Sequence, residues 1–243
     1  MSEQVSPAHP APALRRLEGR SAVITGGGSG IGLATARRLA AEGAHVVVGD
    51  VDPVAGKAAA HEVGGLFVPV DVTNEEEVRR LYEVTRETYG RVDIAFNNAG
   101  ISPPEDASIL ETGIDAWRRV QEVNLTSVYY CCKYALPHML AAGKGSIINT
   151  ASFVAVMGAA TSQISYSASK GGVLAMSREL GVEFARRGGT RERPVPRTGE
   201  HSPAAGTLCQ GPGASRPPAG AHTAGPVRRA GGTRRGCGLP GQR

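Results

Sequence analysis

The chain has 243 residues, a length that suits one large domain or two small ones. Its hydrophobic content of 41% is typical of globular proteins. No apolar run approaches the about 20 residues that span a bilayer, and residues 1–12 lack the basic start and apolar stretch of a secretory signal. The net charge of +5 arises at the end of the chain, because residues 189–243 hold nine Arg and two Glu.

Segments typical of strands and helices alternate through the first 188 residues. Short apolar runs predict five buried strands, at 21–25, 45–49, 65–70, 92–96 and 145–150. Capped or amphipathic segments predict helices at 30–42, 53–63, 115–142 and 165–187, and a further helix that Asn74 caps and that runs through Tyr89. This alternation predicts an α/β fold, a Rossmann-like doubly wound parallel sheet with right-handed crossovers.

The two ends of the chain do not follow this alternation. We expect residues 1–16 to be a disordered lead-in and residues 17–188 to form the Rossmann domain. Residues 189–243 contain 12 Gly and 8 Pro but few large apolar side chains. Such a segment cannot bury enough apolar surface to offset its chain entropy, so a disordered tail is predicted.

A glycine-rich turn, TGGGSGIG from Thr25 to Gly32, joins the first predicted strand to the first helix. Glycines allow the backbone to approach a pyrophosphate, and the N-terminus of the helix presents free N–H groups to the phosphates. A glycine cluster alone also fits a plain turn, but this position favours a coenzyme loop. The residues predicted to bind the coenzyme are Gly26, Ser29, Gly30, Ile31 and Gly32.

Asp50 ends the second predicted strand, about 20 residues beyond this loop. A carboxylate here can accept hydrogen bonds from both ribose hydroxyls of NAD and would repel the 2′-phosphate of NADP. The prediction is therefore NAD in preference to NADP, with a solvated loop acid as the alternative interpretation of Asp50.

Two further strand ends supply candidate coenzyme contacts. Asp71 and Val72 end the third strand, where a carboxylate and a backbone group can meet the adenine amine. Asn98, Ala99 and Gly100 end the fourth strand and are small enough for the coenzyme to lie against the backbone. These groups share the carboxyl edge of the sheet, where ligands bind in open α/β folds.

Tyr166 and Lys170 are four residues apart on one predicted helix and therefore share a face. Ser152 follows the fifth strand, and Asn124 lies in the middle of the preceding helix. A nearby ammonium favours the phenolate of tyrosine, so Tyr166 is predicted to be a general base or acid. We expect Ser152 to bind the reacting oxygen, Lys170 to lower the Tyr166 pKa and hold the ribose, and Asn124 to position a water.

These segments resemble the short-chain dehydrogenase/reductase family over about Leu17 to Gly188. The matching elements are the glycine loop, DVT (71–73), NNAG (97–100), Asn124, Ser152 and YSASK (166–170). The resemblance implies an NAD(P)-dependent enzyme that interconverts a secondary alcohol and a ketone, with the same residue roles, as a homodimer or homotetramer. Residues 101–104, 153–157 and 159–163 are expected to line the substrate, which could be a 3-oxoacyl thioester, steroid-like ketone, sugar or small diol.

The family pattern stops after the helix at 165–187. The resemblance implies a sixth strand, a Pro-Gly turn, a substrate lid and a seventh strand, and none is legible in residues 189–243. One set of codons that encodes residues 189–211 also encodes the sequence RVNALCPGPVNTPLLQEL when it is translated in a shifted reading frame. This second sequence would supply the missing sixth strand and Pro-Gly turn. We therefore hypothesise a frameshifted tail, with weakened oligomers and impaired turnover as consequences.

Two other functions fit parts of the sequence. A non-catalytic NAD(P)-binding regulator would not need Tyr166 and Lys170, yet both are present. The basic tail has the charge of a nucleic-acid-binding arm but no aromatic residue for stacking, so we expect neither a nucleic-acid nor a membrane partner. The four cysteines have neither disulfide nor zinc spacing, which predicts no metal site and a cytoplasmic protein.

Overall fold

Five apolar runs of the chain form one parallel sheet in the computed structural model, which describes residues 14–188. The strands are β1 (Ser21–Thr25), β2 (His45–Asp50), β3 (Leu66–Pro69), β4 (Ile94–Asn97) and β5 (Ser146–Asn149). Their order is β3-β2-β1-β4-β5, so the chain steps outward from β1 and then reverses direction at β4. The predicted doubly wound Rossmann-like sheet is confirmed, whereas the tail at 189–243 and most of the lead-in lie outside the described residues.

Six α-helices connect or follow these strands within the described part of the chain. They are α1 (Gly30–Ala41), α2 (Pro53–Glu62), α3 (Glu75–Tyr89), α4 (Ile114–Gln121), α5 (Ser127–Ala141) and α6 (Ile164–Gly188). Asn74 caps α3 through its side chain, and Gly90 ends that helix at φ +72°, as the sequence predicts. None of the helices within residues 14–188 combines the length and apolar character that crossing a membrane requires.

Both faces of the sheet are covered, which explains why its strands are continuously apolar. Successive residues of β1 point to opposite faces, so Val23 packs with Val47 and Leu81 on the α3 and α5 side. Ile24 packs with Val48 and the α1 and α2 residues on the other side. Because all the strand pairs are parallel, the carboxyl ends of the strands lie at one edge of the sheet.

The segment predicted as a helix at 115–142, with a kink at Pro137, is helical from Ile114 to Ala141, and Pro137 lies inside α5. The irregularity that the sequence did not predict lies earlier. A π-helical turn, Glu122–Thr126, separates α4 from α5, and Ser127 N–H donates to the Glu122 carbonyl five residues back. This turn includes Asn124, which is completely buried. Such turns often mark functional sites, and here the buried amide forms hydrogen bonds that no local pattern encodes.

The outer edge of β5 borders an apolar groove of about 680 Å³ between α5 and α6. Among residues 14–188, β5 pairs only with β4, and Ile148 is 45% exposed. Leu136, Leu174 and Leu180 contribute further apolar lining. The fifth strand is thus incompletely covered within the described residues.

Candidate active site

A cleft of about 650 Å³ opens at the carboxyl edge of the sheet. Its lining includes ten predicted coenzyme-binding residues, namely Gly26, Ser29, Gly30, Ile31, Asp50, Asp71, Val72, Asn98, Ala99 and Gly100. It also includes residues that the sequence did not single out for the coenzyme, namely Val51, Val70, Thr73, Ile101, Arg119 and Val123. Gly32, Tyr166 and Lys170 are not part of this lining.

The glycine loop is folded tightly against the start of α1 and the end of β4. Gly26 has φ +64°, and a Cβ at Gly32 would lie 2.0 Å from the Gly26 carbonyl oxygen. The Asn98 side-chain amide donates to the carbonyls of Thr25 and Gly26, each at 3.2 Å. Asn98 therefore holds the loop with its side chain, a role that its position in the sequence did not reveal.

The N-terminus of α1 is open to an anionic ligand. Ser29 occupies the N-cap position, but its side chain makes no capping hydrogen bond, and the first turn contains no acidic residue. Free N–H groups and the helix dipole therefore favour a phosphate at this point. The glycine loop and this uncapped helix start fit the pyrophosphate of a dinucleotide.

Asp50 is fixed by two main-chain donors at the end of β2. Its Oδ2 accepts from Gly28 N–H at 2.8 Å, and its Oδ1 accepts from Asp52 N–H at 3.0 Å. Each carboxylate oxygen retains further acceptor capacity for a hydroxyl donor. A pair of ribose hydroxyls therefore fits this group, which lines the cleft.

Asp71 is ordered in a similar way just beyond β3. Its Oδ1 accepts from both the main-chain N–H and the hydroxyl of Thr73, at 2.9 and 2.8 Å. The Asp71 N–H donates to the carboxylate of Glu77 at 2.7 Å. The Oδ2 atom of Asp71 forms no hydrogen bond with residues 14–188, so it is free to accept from an amine in the cleft.

Lys170 and Tyr166 lie together on one face of α6, as their spacing predicts. The Lys170 Nζ atom lies 5.5 Å from the centroid of the Tyr166 ring and donates to the Thr150 carbonyl at 2.7 Å. Burial lowers the pKa of Lys170 below its usual value. Ser152 is half-buried just after β5, two residues beyond the carbonyl that anchors Lys170.

Asn124 meets this group from the π-helical turn. A Cβ at Gly100 would lie 3.3 Å from Asn124 Oδ1 and 3.6 Å from Lys170 Nζ, so the amide and the ammonium converge on this glycine. Asn124 Oδ1 accepts from Ile101 N–H, and its Nδ2 donates to the Ile101 carbonyl, both at 2.8 Å. Both ends of the amide are thus engaged by the chain that follows β4.

A match to known proteins places this arrangement in a family. The model of the short-chain dehydrogenase family matches residues 20–190. The chain belongs to the short-chain dehydrogenase family. The family membership that the sequence motifs indicated is thereby confirmed.

Named relatives of this short-chain dehydrogenase include two curated enzymes. It is 46% identical to cis-4-hydroxycyclohexanecarboxylate dehydrogenase of Sinomonas cyclohexanicum, over 70% of this chain and 69% of that one. It is 41% identical to secoisolariciresinol dehydrogenase of Forsythia intermedia, over 72% of this chain and 64% of that one. The match therefore spans about two thirds of the length of these relatives.

The crystal structure of levodione reductase has the same fold. It superposes with a TM-score of 0.68 at 35% identity, covering 71% of this chain and 69% of that chain. Within residues 14–188 of this short-chain dehydrogenase, no group of His, Cys, Asp or Glu side chains is arranged to hold a metal ion.

Sequence reasoning missed one residue next to the candidate site of this short-chain dehydrogenase. Asp106 accepts hydrogen bonds from the first turn of α6. It belongs to no local motif, and only its contacts with a distant part of the chain reveal it. Ile101 was expected to line the substrate, but its two hydrogen bonds with the Asn124 amide were not predicted.

Proposed function

We propose that this short-chain dehydrogenase is an NAD(P)-dependent oxidoreductase that interconverts a secondary alcohol and a ketone by hydride transfer. The observation that carries the proposal is the placement of Lys170 beside Gly100, which lines the cleft with the glycine loop and Asp50. The Tyr166 ring lies 5.5 Å from the same ammonium. An acid–base pair next to a dinucleotide-shaped cleft suits this reaction class.

The proposed coenzyme contacts follow the lining of the cleft. The glycine loop and the N-terminus of α1 would hold the pyrophosphate, Asp50 a ribose, and Asp71 with Val72 the adenine. Backbone groups of Asn98, Ala99 and Gly100 would border the coenzyme along its length, while Gly32 keeps the loop closed. When bound, the nicotinamide supplies the hydride acceptor or donor.

Tyr166 is the proposed acid–base group. Its phenolate would take the hydroxyl proton of an alcohol, and its phenol would return a proton to the oxygen of a ketone. Lys170 would favour the phenolate by its positive charge and would hold the ribose hydroxyls. Ser152 would donate a hydrogen bond to the reacting oxygen and fix its orientation.

Asn124 is proposed to act through placement rather than through direct contact with substrate. Its side chain secures Ile101, which lines the coenzyme cleft. The same position beside Gly100 and Lys170 suits a water that exchanges protons between Lys170 and solvent. Deleting the amide would therefore disturb both the cleft wall and the proton path.

The coenzyme preference and substrate class are narrower parts of the proposal. The charge of Asp50 favours NAD over NADP, because a 2′-phosphate would meet a fixed carboxylate. Exposed Phe153, Val156 and Met157 follow Ser152 and favour a fairly apolar alcohol or ketone. The name of the Sinomonas relative, a hydroxycyclohexanecarboxylate dehydrogenase, agrees with a secondary alcohol.

We propose a cytoplasmic location and a homodimer or homotetramer. The buried free thiols of Cys131 and Cys132 suit a reducing compartment. Exposed Leu140 on α5 and Val182 on α6 supply apolar surface for association between copies. The groove beside β5 supports the further proposal that this chain turns over weakly, since residues 189–243 carry no legible strand or lid to cover it.

A panel of secondary alcohols and ketones, assayed with NAD(H) and NADP(H), tests the proposal. We expect Tyr166→Phe to lower turnover by about 100-fold or more while NADH still binds. Tyr129→Phe, an exposed tyrosine on α5, is the matched control and should behave as the unmodified chain. Full turnover by Tyr166→Phe would overturn the assignment.

The frame hypothesis provides a second comparison. The protein encoded by a gene with the reading frame restored after residue 188 should turn over substrate faster than the 243-residue chain. Binding of NADH without turnover in both proteins would instead favour the alternative of a non-catalytic NAD(P)-binding regulator. Sequencing the gene across this point shows whether its codons permit the second frame at all.

A further inference from the structure

A buried carboxylate caps the helix that carries Tyr166. Asp106 lies in the segment between β4 and α4 and is only 6% exposed. Its Oδ1 accepts from Ser165 N–H at 2.8 Å, and its Oδ2 accepts from Tyr166 N–H at 2.7 Å. Both donors belong to the first turn of α6, where main-chain N–H groups have no partner within the helix.

The segment that holds Asp106 is itself tied to the start of α6. Ile164 N–H donates to the Ala107 carbonyl at 3.1 Å. Ala107 N–H in turn donates to the Thr112 hydroxyl at 2.9 Å. The carboxylate is therefore presented by a braced loop rather than by a free side chain.

The carbonyl side of Tyr166 is held as well. Ser169 Oγ donates to the Tyr166 carbonyl at 2.7 Å and accepts from Asn124 Nδ2 at 3.3 Å. The Tyr166 phenol forms no hydrogen bond with residues 14–188. Among the described residues, hydrogen bonds of the Tyr166 main chain, and none of its phenol, therefore fix the position of this side chain.

We propose that Asp106 is a positioning residue for Tyr166. Its two hydrogen bonds fix the first turn of α6, and with it the distance from the phenol to the reacting oxygen. An ionised acceptor at a helix N-terminus makes strong hydrogen bonds and interacts favourably with the helix dipole. This inference rests on the proposed function, in which Tyr166 transfers the proton.

Three variants of the 243-residue chain test the role of Asp106. Asp106→Ala removes both acceptors, whereas Asp106→Asn keeps an amide oxygen. One such oxygen suffices elsewhere in this protein, because Asn74 Oδ1 accepts from both Glu76 and Glu77 N–H at the start of α3. Asn74→Ala is the matched control, since it removes a helix cap that does not contact Tyr166.

We expect kcat to fall about tenfold or more in Asp106→Ala, because small misplacements of a reacting group are costly. The Kd for NADH should stay within about twofold, since Asp106 is not part of the cleft lining. Asp106→Asn should recover most of the loss, and Asn74→Ala should lose stability without a change in kcat. An unchanged kcat in a destabilised Asp106→Ala would overturn the inference.

A spectroscopic readout decides the matter even where turnover is weak. In carbon-13 tyrosine NMR spectra, Tyr166 is assigned by the resonance that Tyr166→Phe removes. That resonance should shift or broaden in Asp106→Ala, return in Asp106→Asn and stay unchanged in Asn74→Ala. An unchanged Tyr166 resonance in Asp106→Ala would contradict the positioning role of Asp106. If Tyr166→Phe keeps full turnover, the proposed function fails instead, which separates the two failures.

Discussion

The Asp50 carboxylate accepts a hydrogen bond from the Gly28 N–H at 2.8 Å and so joins the end of β2 to the glycine loop. A Cβ at Gly28 would lie 2.8 Å from the same oxygen, so this approach depends on glycine. The charge of Asp50 is consequently held in one place at the cleft. Coenzyme discrimination by this group can be tested without dismantling the loop.

Asp50→Asn should shift the ratio of NADPH to NADH affinity by about tenfold in favour of NADPH, a change of about 1.4 kcal/mol. The amide oxygen can still accept from Gly28, whereas the new NH2 group can no longer accept from the exposed Asp52 N–H. Removal of the charge that repels a 2′-phosphate is what should change the coenzyme ratio. Fluorescence titration with each reduced coenzyme measures the ratio. Asp115→Asn, an exposed acid on α4, is the control. An unchanged ratio in Asp50→Asn would contradict the proposed preference.

Gly32→Ala should abolish NADH binding and destabilise the fold. A Cβ at this position would lie 2.0 Å from the Gly26 carbonyl oxygen, so the loop must open. Gly181→Ala on α6 is the matched control, because its Cβ would meet nothing within 4 Å. A helical Gly→Ala change without a clash stabilises by about 0.5–1 kcal/mol. NADH titration and urea unfolding compare the two, and normal binding by Gly32→Ala would refute the close approach.

Asn124→Ala should lower the free energy of unfolding by about 1–3 kcal/mol, because it leaves part-buried polar groups without their partner. The substitution strands both the N–H and the carbonyl of Ile101. Asn124→Asp keeps an acceptor for the Ile101 N–H but loses the donor to the Ile101 carbonyl. Its free energy of unfolding should therefore lie between those of the unmodified chain and Asn124→Ala. Urea unfolding measures the series. A loss below about 1 kcal/mol for Asn124→Ala would show that Ile101 finds other partners.

Acid should destabilise the fold through Glu42. The hydrogen bond from Arg16 lowers the Glu42 pKa from 4.5 to about 2, despite the opposing effect of burial. Because the folded pKa is depressed, this stabilisation is present above pH 4.5 and is lost as pH falls toward about 2.

The measurement is the pH dependence of unfolding in the unmodified chain and in Glu42→Gln. Glu42→Gln should be less stable at neutral pH and should show a flatter profile between pH 4.5 and about 2. Glu62→Gln removes the exposed ion pair with Arg37 and should change little, because solvent screens such pairs. Parallel profiles for the unmodified chain and Glu42→Gln would rule out this account.

Element boundaries illustrate what apolar patterns report. β1 and α3 begin and end where the sequence predicts, because an apolar run and a capped helix are local signals. β4 begins at Ile94 rather than at Val92, although Val92 is buried. An apolar run predicts burial, whereas a strand begins where its backbone pairs with a neighbour.

The sequence by itself determined the alternation of strands and helices and the polar residues at the strand ends. Parallel topology then brings those ends to one edge, so Asp50, Asp71 and Gly100 were predictable as parts of one cleft lining. Only the tertiary structure decided which polar atoms remain free, because hydrogen bonds between distant segments leave no local pattern. The side-chain amides of Asn98 and Asn124 form hydrogen bonds with main-chain carbonyls of other segments. The Asp106 carboxylate accepts from the Tyr166 N–H, 60 residues away in the chain.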